Sequence, residues 1–102
     1  MSASRRRRLE WSKRAQRDLA HIEDFYLTVA GYEVADSAID AIIAQAEKIT
    51  SLGLVFRPGK DNTRECPLRR FPVTIVYRIE DNVVRVARVL DQRTFYYARR
   101  QS

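Results

Sequence analysis

The stretch FPVTIVYRIEDNVVRVARVL, residues 71–90, predicts the β-hairpin around which the fold is built. Its first part, 71–79, alternates with a period of two, which is typical of a strand with two different faces. Residues 80–82 suit a tight turn, and residues 83–90 return as the antiparallel partner. The two faces of the first strand carry Val73, Ile75, Tyr77 and Ile79 and, opposite them, Thr74, Val76 and Arg78.

The second strand of this hairpin has no face that is polar throughout. Its two alternating sets are Val84, Val86, Arg88 and Leu90 and, opposite them, Val83, Arg85, Ala87 and Val89. An open sheet face that mixes apolar and basic residues suggests that a partner covers it. Alternatively, the valines reflect only the strand propensity of β-branched residues.

Upstream of the hairpin the apolar period changes to about 3.6, which predicts two helices. A short strand, residues 8–11, comes first. Ser12 can cap a helix that runs to about Val29, and Gly31 can end it. A second helix follows over residues 33–51. The apolar positions are Ala15, Leu19, Ile22, Phe25, Tyr26 and Val29 in the first helix and Val34, Ala35, Ala38, Ile39, Ile42, Ile43, Ala46, Ile49 and Leu52 along the second.

The order of elements is therefore β-α-α-β-β-β. Residues 55–63 predict a loop with a Pro-Gly turn, and residues 63–70 predict a strand that Pro67 interrupts. A two-helix hairpin packed on one face of an antiparallel sheet is an α+β fold. The length suits a single domain, residues 1–102, with a basic arm at 1–7 and a flexible tail at 98–102.

Composition excludes several classes of protein. The chain has 102 residues, of which 45% are hydrophobic, so it can build one core. The single cysteine, Cys66, excludes an internal disulfide and fits a reducing compartment. The N-terminal basic run is not followed by an apolar segment typical of a secretory signal, and no apolar run could span a membrane. We therefore expect a cytoplasmic protein.

Charge is distributed unevenly along the chain, whose formal net charge is +6. Residues 18–47 contain seven acidic residues and no Lys or Arg, whereas residues 57–102 contain eleven basic and five acidic residues. A basic surface suits nucleic acid, the ribosome or an acidic protein. The alternative is a highly charged surface that serves solubility.

Few residues suggest chemistry of their own. One His and one Cys cannot build a zinc site, and three scattered glycines form no phosphate loop, so we expect no metal and no cofactor. The sheet half is rich in arginines with interleaved tyrosines, which can hold RNA. Cleavage of RNA would also need a proton shuttle, and arginine is a poor one because its pKa is very high.

Three marks in the sequence resemble the RelE/ParE superfamily of toxins from bacterial type II toxin–antitoxin modules. These are W-S-x-x-A-x-x-D-L-x-x-I at 11–22, R-x-F-P…V-Y-R at 69–78 and V-L-x-Q-R at 89–93. The resemblance covers nearly the whole chain and implies the same order of elements. RelE-like members are ribosome-dependent mRNA endoribonucleases, whereas ParE-like members inhibit DNA gyrase. The fold cannot decide between these activities, so the site residues must.

Most of the RelE-like nuclease pattern is missing from this sequence. Arg93 matches a catalytic arginine, and Tyr96 or Tyr97 lies near the place of a catalytic tyrosine. Basic positions of the nuclease fall at Glu65, Pro67 and Thr74. An acidic residue among phosphate contacts would repel RNA. We therefore favour a ParE-like toxin that binds gyrase and carries out no catalysis.

Two alternatives stay open. The first is a RelE-like mRNase that acts with the ribosome through Arg93, Tyr96 and Arg70. The second is a degenerate toxin that only binds its antitoxin and helps repress its operon, touching operator DNA only through that antitoxin. The candidates for binding the target are Arg64, Arg69, Arg70, Arg93, Tyr96 and Tyr97. The candidates for binding a cognate antitoxin, in a groove beside the second helix, are Arg78, Arg88, Val76, Ile39 and Ile43.

Overall fold

The predicted hairpin lies at the centre of the sheet. The computed structural model describes residues 6–52 and 56–92. Five strands form one sheet in the order β1-β5-β4-β3-β2, and both helices pack on one of its faces. The elements are β1 Arg8–Trp11, α1 Lys13–Ala30, α2 Tyr32–Leu52, β2 Arg57–Pro58, β3 Arg64–Pro67, β4 Val73–Glu80 and β5 Val83–Asp91.

The predicted α+β fold is confirmed, and the sheet is mixed. β1 runs parallel to β5, with Leu9 opposite Val84 and Trp11 opposite Val86. The other pairs of neighbouring strands are antiparallel, as expected. Alternation along a strand is the same in both directions of pairing, so the sequence pattern could not reveal that β1 is parallel.

The segment predicted as a loop contains the short strand β2, and its turn lies later than predicted. Asp61 and Asn62, not Pro58 and Gly59, adopt positive φ angles of 54° and 64°. Thr63 N–H donates to Lys60 O across this turn at 3.0 Å. Apart from glycine, Asn and Asp are the residues that tolerate positive φ angles best, which explains why the turn lies at Asp61 and Asn62.

A β-bulge explains why neither side of the last strand is cleanly polar. Val76 pairs with Arg88, whereas the next residue, Tyr77, pairs with Val86, so Ala87 is the extra residue in β5. An extra residue reverses the alternation beyond it. Val84 and Val86 point to the helices before the bulge, and Val89 and Asp91 do so after it.

The first helix begins at its predicted cap. Ser12 Oγ accepts the N–H of Ala15 at 2.9 Å, and its hydroxyl donates to Ala87 O at 2.9 Å. Gly31, with a φ of 93°, ends α1 and allows α2 to begin at once. The expected apolar stripes are mostly buried, but Val29, Val34 and Ile43 are exposed on the surface of the helical hairpin. Their spacing fits a helix, but they lie outside the helix faces that pack on the core.

The core contains the lone cysteine and the buried tyrosine of β4. Cys66 Sγ receives a hydrogen bond from Gln45 Nε2 at 3.2 Å, and burial raises the pKa of the thiol. Within the two described ranges, neither helix is long and apolar enough to cross a membrane. Of the predicted terminal segments, residues 1–5 and 98–102 lie outside the described residues.

Burial of Tyr77 predicts how stability depends on pH. Burial is the main cause that raises the pKa of its phenol from 10.0 to about 12. Between pH 10 and 12 the folded state keeps a proton that the unfolded state has released, so the free energy of unfolding falls as pH rises. This contribution is fully present below pH 10 and is lost by about pH 12.

We expect Tyr77→Phe to reduce this alkaline loss, as measured by urea denaturation at a series of pH values. Tyr32→Phe is the matched control, because the Tyr32 side chain is 72% exposed, and it should keep the wild-type pH dependence. The same slope in Tyr77→Phe and in the wild type would contradict the argument.

Candidate functional site

A cleft opens where β1 ends and where, among the residues that the structure describes, no other strand follows along the outer edge of β5. The pairing of β1 stops at Trp11 and Val86, and α1 then runs beside the rest of β5. Side chains of the segment that starts α1 occupy this edge. The Ser12 hydroxyl binds the carbonyl of Ala87, and Asp18 Oδ2 accepts the N–H of Val89 at 2.8 Å.

Asp18 also holds the guanidinium of Arg88 with two hydrogen bonds. Nε of Arg88 donates to Oδ2 at 2.9 Å, and a terminal nitrogen donates to Oδ1 at 3.2 Å. The Asp18 side chain is 12% exposed and that of Arg88 is 34% exposed. These hydrogen bonds raise the pKa of Arg88 further, so its charge is permanent. The pair joins two elements that are 70 residues apart in sequence.

The cleft continues from Arg88 across the open face of the sheet. Arg88, Val76, Glu65 and Arg57 are successive cross-strand partners, so their side chains share this face. The cleft has a volume of about 650 Å³. It is lined by Asp18, His21, Ile22, Arg57, Glu65, Thr74, Val76, Arg88, Val89, Leu90, Asp91 and Gln92.

Both arginines of the cleft already have a carboxylate partner. Arg57 Nε lies 3.2 Å from Glu65 Oε1, and Arg88 binds Asp18. Asp91 adds a third carboxylate to the lining. Two guanidinium groups and three carboxylates give this lining no positive excess for phosphate. The cleft therefore suits a partner that supplies apolar groups and hydrogen bonds better than it suits an RNA backbone.

The positions aligned with the basic residues of RelE-like nucleases lie in or beside this cleft. Glu65 and Thr74 line it, and Pro67 ends β3 with its side chain exposed. Thr74 is the cross-strand partner of both Pro67 and Leu90. The structure thus brings these three positions to one region of the sheet.

The predicted target-binding residues do not form one cluster in the described part of the chain. Arg69 and Arg70 are exposed in the connection between β3 and β4, where the Arg70 guanidinium lies 5.5 Å from the centre of the Phe71 ring. Arg64 differs from both, because it is half-buried and donates to the carbonyl of Phe56 at 2.9 Å. Arg93, Tyr96 and Tyr97 lie outside the described residues.

The predicted antitoxin-binding residues fall on two sides of the sheet. Val76 and Arg88 line the cleft, and Arg78 lies further along the same open face, where its Nε donates to Asp61 O at 3.4 Å. Ile39 and Ile43 belong to α2, which packs on the opposite face. Ile39 is partly buried against the core, and Ile43 is 38% exposed. These five residues therefore do not form the single groove that was expected.

Sequence reasoning missed the contribution of α1 to the cleft. Asp18 and His21 line it, and Arg14 and Arg17 lie one helical turn before them on the same side of the helix. Arg14 and Arg17 are exposed, and neither forms an ion pair within the described ranges. The signal in the sequence is the spacing of these charged residues, which recur at three and four positions beside the apolar stripe of α1.

The described residues contain no group of three or more His, Cys, Asp or Glu side chains that could hold a metal ion. Two carboxylates of the cleft, those of Asp18 and Glu65, are instead engaged with arginines and, for Asp18, with a backbone amide.

Comparisons with known proteins place this geometry in a family. Residues 9–96 match the sequence model of the ParE toxin of the type II toxin–antitoxin system, parDE. No curated protein matches the sequence. One similar solved structure is described as the chromosomal ParDE TA system from P. aeruginosa. It is 25% identical, with a TM-score of 0.79 over 86% of this chain and 98% of that one.

Two further structures share the fold. The RelBE2 toxin–antitoxin complex from Mycobacterium tuberculosis is 20% identical, with a TM-score of 0.61, and the match covers 84% of this chain and 98% of that one. A conserved hypothetical protein from Helicobacter pylori is 22% identical, with a TM-score of 0.54 over 85% and 96% of the two chains. At these identities the similarity concerns the fold alone.

Asp18 should be the most sensitive polar residue of the cleft. We expect Asp18→Ala to lower the free energy of unfolding by about 2–3 kcal/mol, because it removes hydrogen bonds to a guanidinium and to a backbone amide. Asp18→Asn should lower the free energy of unfolding less, since the amide oxygen of Asn can still accept the N–H of Val89. Asp24→Asn, an exposed carboxylate of α1, is the control and should change stability by under about 0.5 kcal/mol.

Urea denaturation at neutral pH measures the free energy of unfolding of all three variants. Equal losses in Asp18→Ala and Asp24→Asn would show that the Asp18–Arg88 contact contributes nothing to stability.

Proposed function

Because this chain belongs to the ParE toxin family of type II toxin–antitoxin systems, we propose that it binds DNA gyrase and stops replication until a cognate antitoxin neutralises it. The observation that carries the proposal is the match to the ParE family over residues 9–96, which includes both described helices, β2 to β5 and all of β1 except Arg8. Both the target and the antitoxin would be met in the cytoplasm.

The charges of the cleft favour inhibition by binding over cleavage of RNA. A ribonuclease needs cations that stabilise the developing negative charge on phosphate. Here Arg57 is held by Glu65 and Arg88 by Asp18, at 3.2 Å and 2.9 Å. A phosphate that bound either guanidinium would also meet a neighbouring carboxylate, which would repel it. The ion pairs therefore support a toxin that acts without catalysis.

We place the contact with gyrase on the exposed basic residues that follow β3. Arg69 and Arg70 are exposed, and the guanidinium of Arg70 packs over Phe71, which restricts its side chain. An arginine held against an aromatic ring is the kind of residue that dominates many protein interfaces. Arg93, Tyr96 and Tyr97 follow β5 in the sequence and complete the proposed target-binding set.

We place the antitoxin in the cleft and on the open face of the sheet. Leu90 is 41% exposed beside Val76, so an apolar side chain of the antitoxin could bury both. Arg14 and Arg17 on one side, and Arg78 on the other, offer cations that no carboxylate of the described residues neutralises. An acidic segment with apolar side chains fits this surface, and it would order on binding.

This placement predicts that Leu90→Ser weakens antitoxin binding by about tenfold or more, because it removes an apolar contact at the centre of the interface. Leu27→Ser is the matched control, since Leu27 is 43% exposed on the helical hairpin, away from the cleft. Titration calorimetry of the purified toxin with its antitoxin measures both. Equal affinities for the two variants would place the antitoxin elsewhere without affecting the proposal about gyrase.

The gyrase proposal predicts which synthesis stops first in a cell. After induction of this chain alone, thymidine incorporation should fall before methionine incorporation, and purified toxin should inhibit supercoiling by gyrase. Arg69→Ala with Arg70→Ala should reduce the inhibition of supercoiling, whereas Lys48→Ala, an exposed base on α2, should not.

Three other outcomes would point elsewhere. If methionine incorporation collapses first, the chain acts on mRNA or the ribosome. If neither kind of synthesis falls, the chain binds its antitoxin without being an active toxin. If thymidine incorporation falls but supercoiling by gyrase is intact, replication stops through a different target.

A further inference from the structure

The tip of the helical hairpin is rich in exposed apolar side chains. Among the described residues, six large apolar side chains are more than one third exposed, and five of them belong to α1 and α2. Four flank Gly31, within the last turn of α1 and the first turn of α2. These four, which we call the hairpin tip, are Leu27, Val29, Tyr32 and Val34, at 43%, 48%, 72% and 37% exposure.

Folding does not explain this concentration of apolar groups. The core stripe of α1 ends at Tyr26, and that of α2 begins at Ala35, so the hairpin tip extends beyond the part of the helices that covers the sheet. Single exposed apolar residues are ordinary, but a group of four that includes an aromatic ring is typical of an interaction site.

The surroundings of the hairpin tip are acidic. Residues 18–47 contain no Lys or Arg, although the chain as a whole has nineteen. All four acidic residues within about one turn of the tip are exposed, and none of them forms an ion pair with a described residue. They are Glu23, Asp24, Glu33 and Asp36. Exposed apolar side chains with unpaired acidic residues close by in the chain complement a basic segment that also carries apolar side chains.

A second copy of this chain is a poor occupant of the patch. A twofold-symmetric contact would place one acidic tip against another, so their like charges would repel. A contact between the tip of one copy and a basic surface of the next would be heterologous, so it would build a ring or an open chain of molecules and not a twofold dimer. The observations therefore favour a different protein.

We propose that the hairpin tip is a docking surface for a basic, apolar-bearing segment of a partner protein, separate from the cleft. Leu27, the tip residue nearest the cleft along the chain, lies five residues after Ile22 of the cleft lining, about 7.5 Å along α1. The two surfaces therefore share a helix but no side chain. The proposal does not depend on gyrase being the target, since it uses only the exposure and charge of this surface.

The probe for the test is a short fluorescein-labelled helical peptide with leucines on one face and lysines on the other, titrated with the full chain. Its counterpart carries glutamates in place of lysines. We expect the lysine peptide to bind. Its affinity should fall as salt screens the charges, and it should fall by about tenfold or more when Tyr32→Ser is introduced. The glutamate peptide should not bind.

Two further variants separate the tip from other surfaces. Leu90→Ser changes a cleft residue of similar exposure to Leu27 and should leave the peptide affinity unchanged. Glu33→Gln with Asp36→Asn keeps the apolar side chains and should both weaken binding and flatten its salt dependence. Circular dichroism melts confirm that each variant folds, which is expected because the changed side chains are exposed.

Several outcomes would overturn the proposal. An affinity that Tyr32→Ser leaves unchanged, or that Leu90→Ser lowers equally, would exclude the tip as the binding surface. Self-association in sedimentation velocity that Tyr32→Ser abolishes would show that a second copy is the occupant. Higher peptide affinity in Arg99→Gln with Arg100→Gln would show that the chain's own C-terminal segment competes for the tip.

Discussion

The pairing of β4 with β5, with its bulge at Ala87, determines which side chains reach the core and which reach the cleft. Before the bulge, Val84 and Val86 pack under the helices, and Arg85 faces outwards. After it, Val89 takes the core side, and Arg88 turns to the open face opposite Val76. Without this extra residue the alternation would carry Arg88 into the core and Val89 out of it. The cleft therefore depends on one local irregularity in the central hairpin.

Asp18 stabilises the outer edge of β5 next to the bulge. β1 ends at Trp11, so the outer edge of β5 beyond Val86 has no partner strand within the described ranges. An unpaired edge exposes backbone groups to other chains. The Ser12 hydroxyl and the Asp18 carboxylate bind this edge directly, at Ala87 O and Val89 N–H. The start of α1 thus replaces the missing strand, and the same carboxylate fixes the guanidinium of Arg88.

The local features of the fold could be predicted from the sequence, and the long-range ones could not. Alternation identified the hairpin, and the Ser12 cap and Gly31 marked the limits of α1. The bulge could not be placed, because a strand with valines on both sides is consistent with either register. The contact of Asp18 with Arg88 spans 70 residues and leaves no trace in a local pattern. Resemblance to a family indicated the type of protein. Which charged residues pair with each other in the cleft could be seen only in the structure.

The two proposed surfaces differ in what their charges can contribute to binding. In the cleft, Arg57 and Arg88 already have carboxylate partners, so a ligand gains little net charge attraction from them and must gain affinity from apolar contact and shape. At the hairpin tip, the carboxylates of Glu33 and Asp36 have no described ion-pair partner, so they can attract a basic segment over a distance set by the ionic strength. Added salt should therefore change the rate of association at the tip more than it changes the rate of dissociation from the cleft. A domain of this size can in this way hold one partner by packing while it captures another by charge, since the two surfaces share a helix but no side chain.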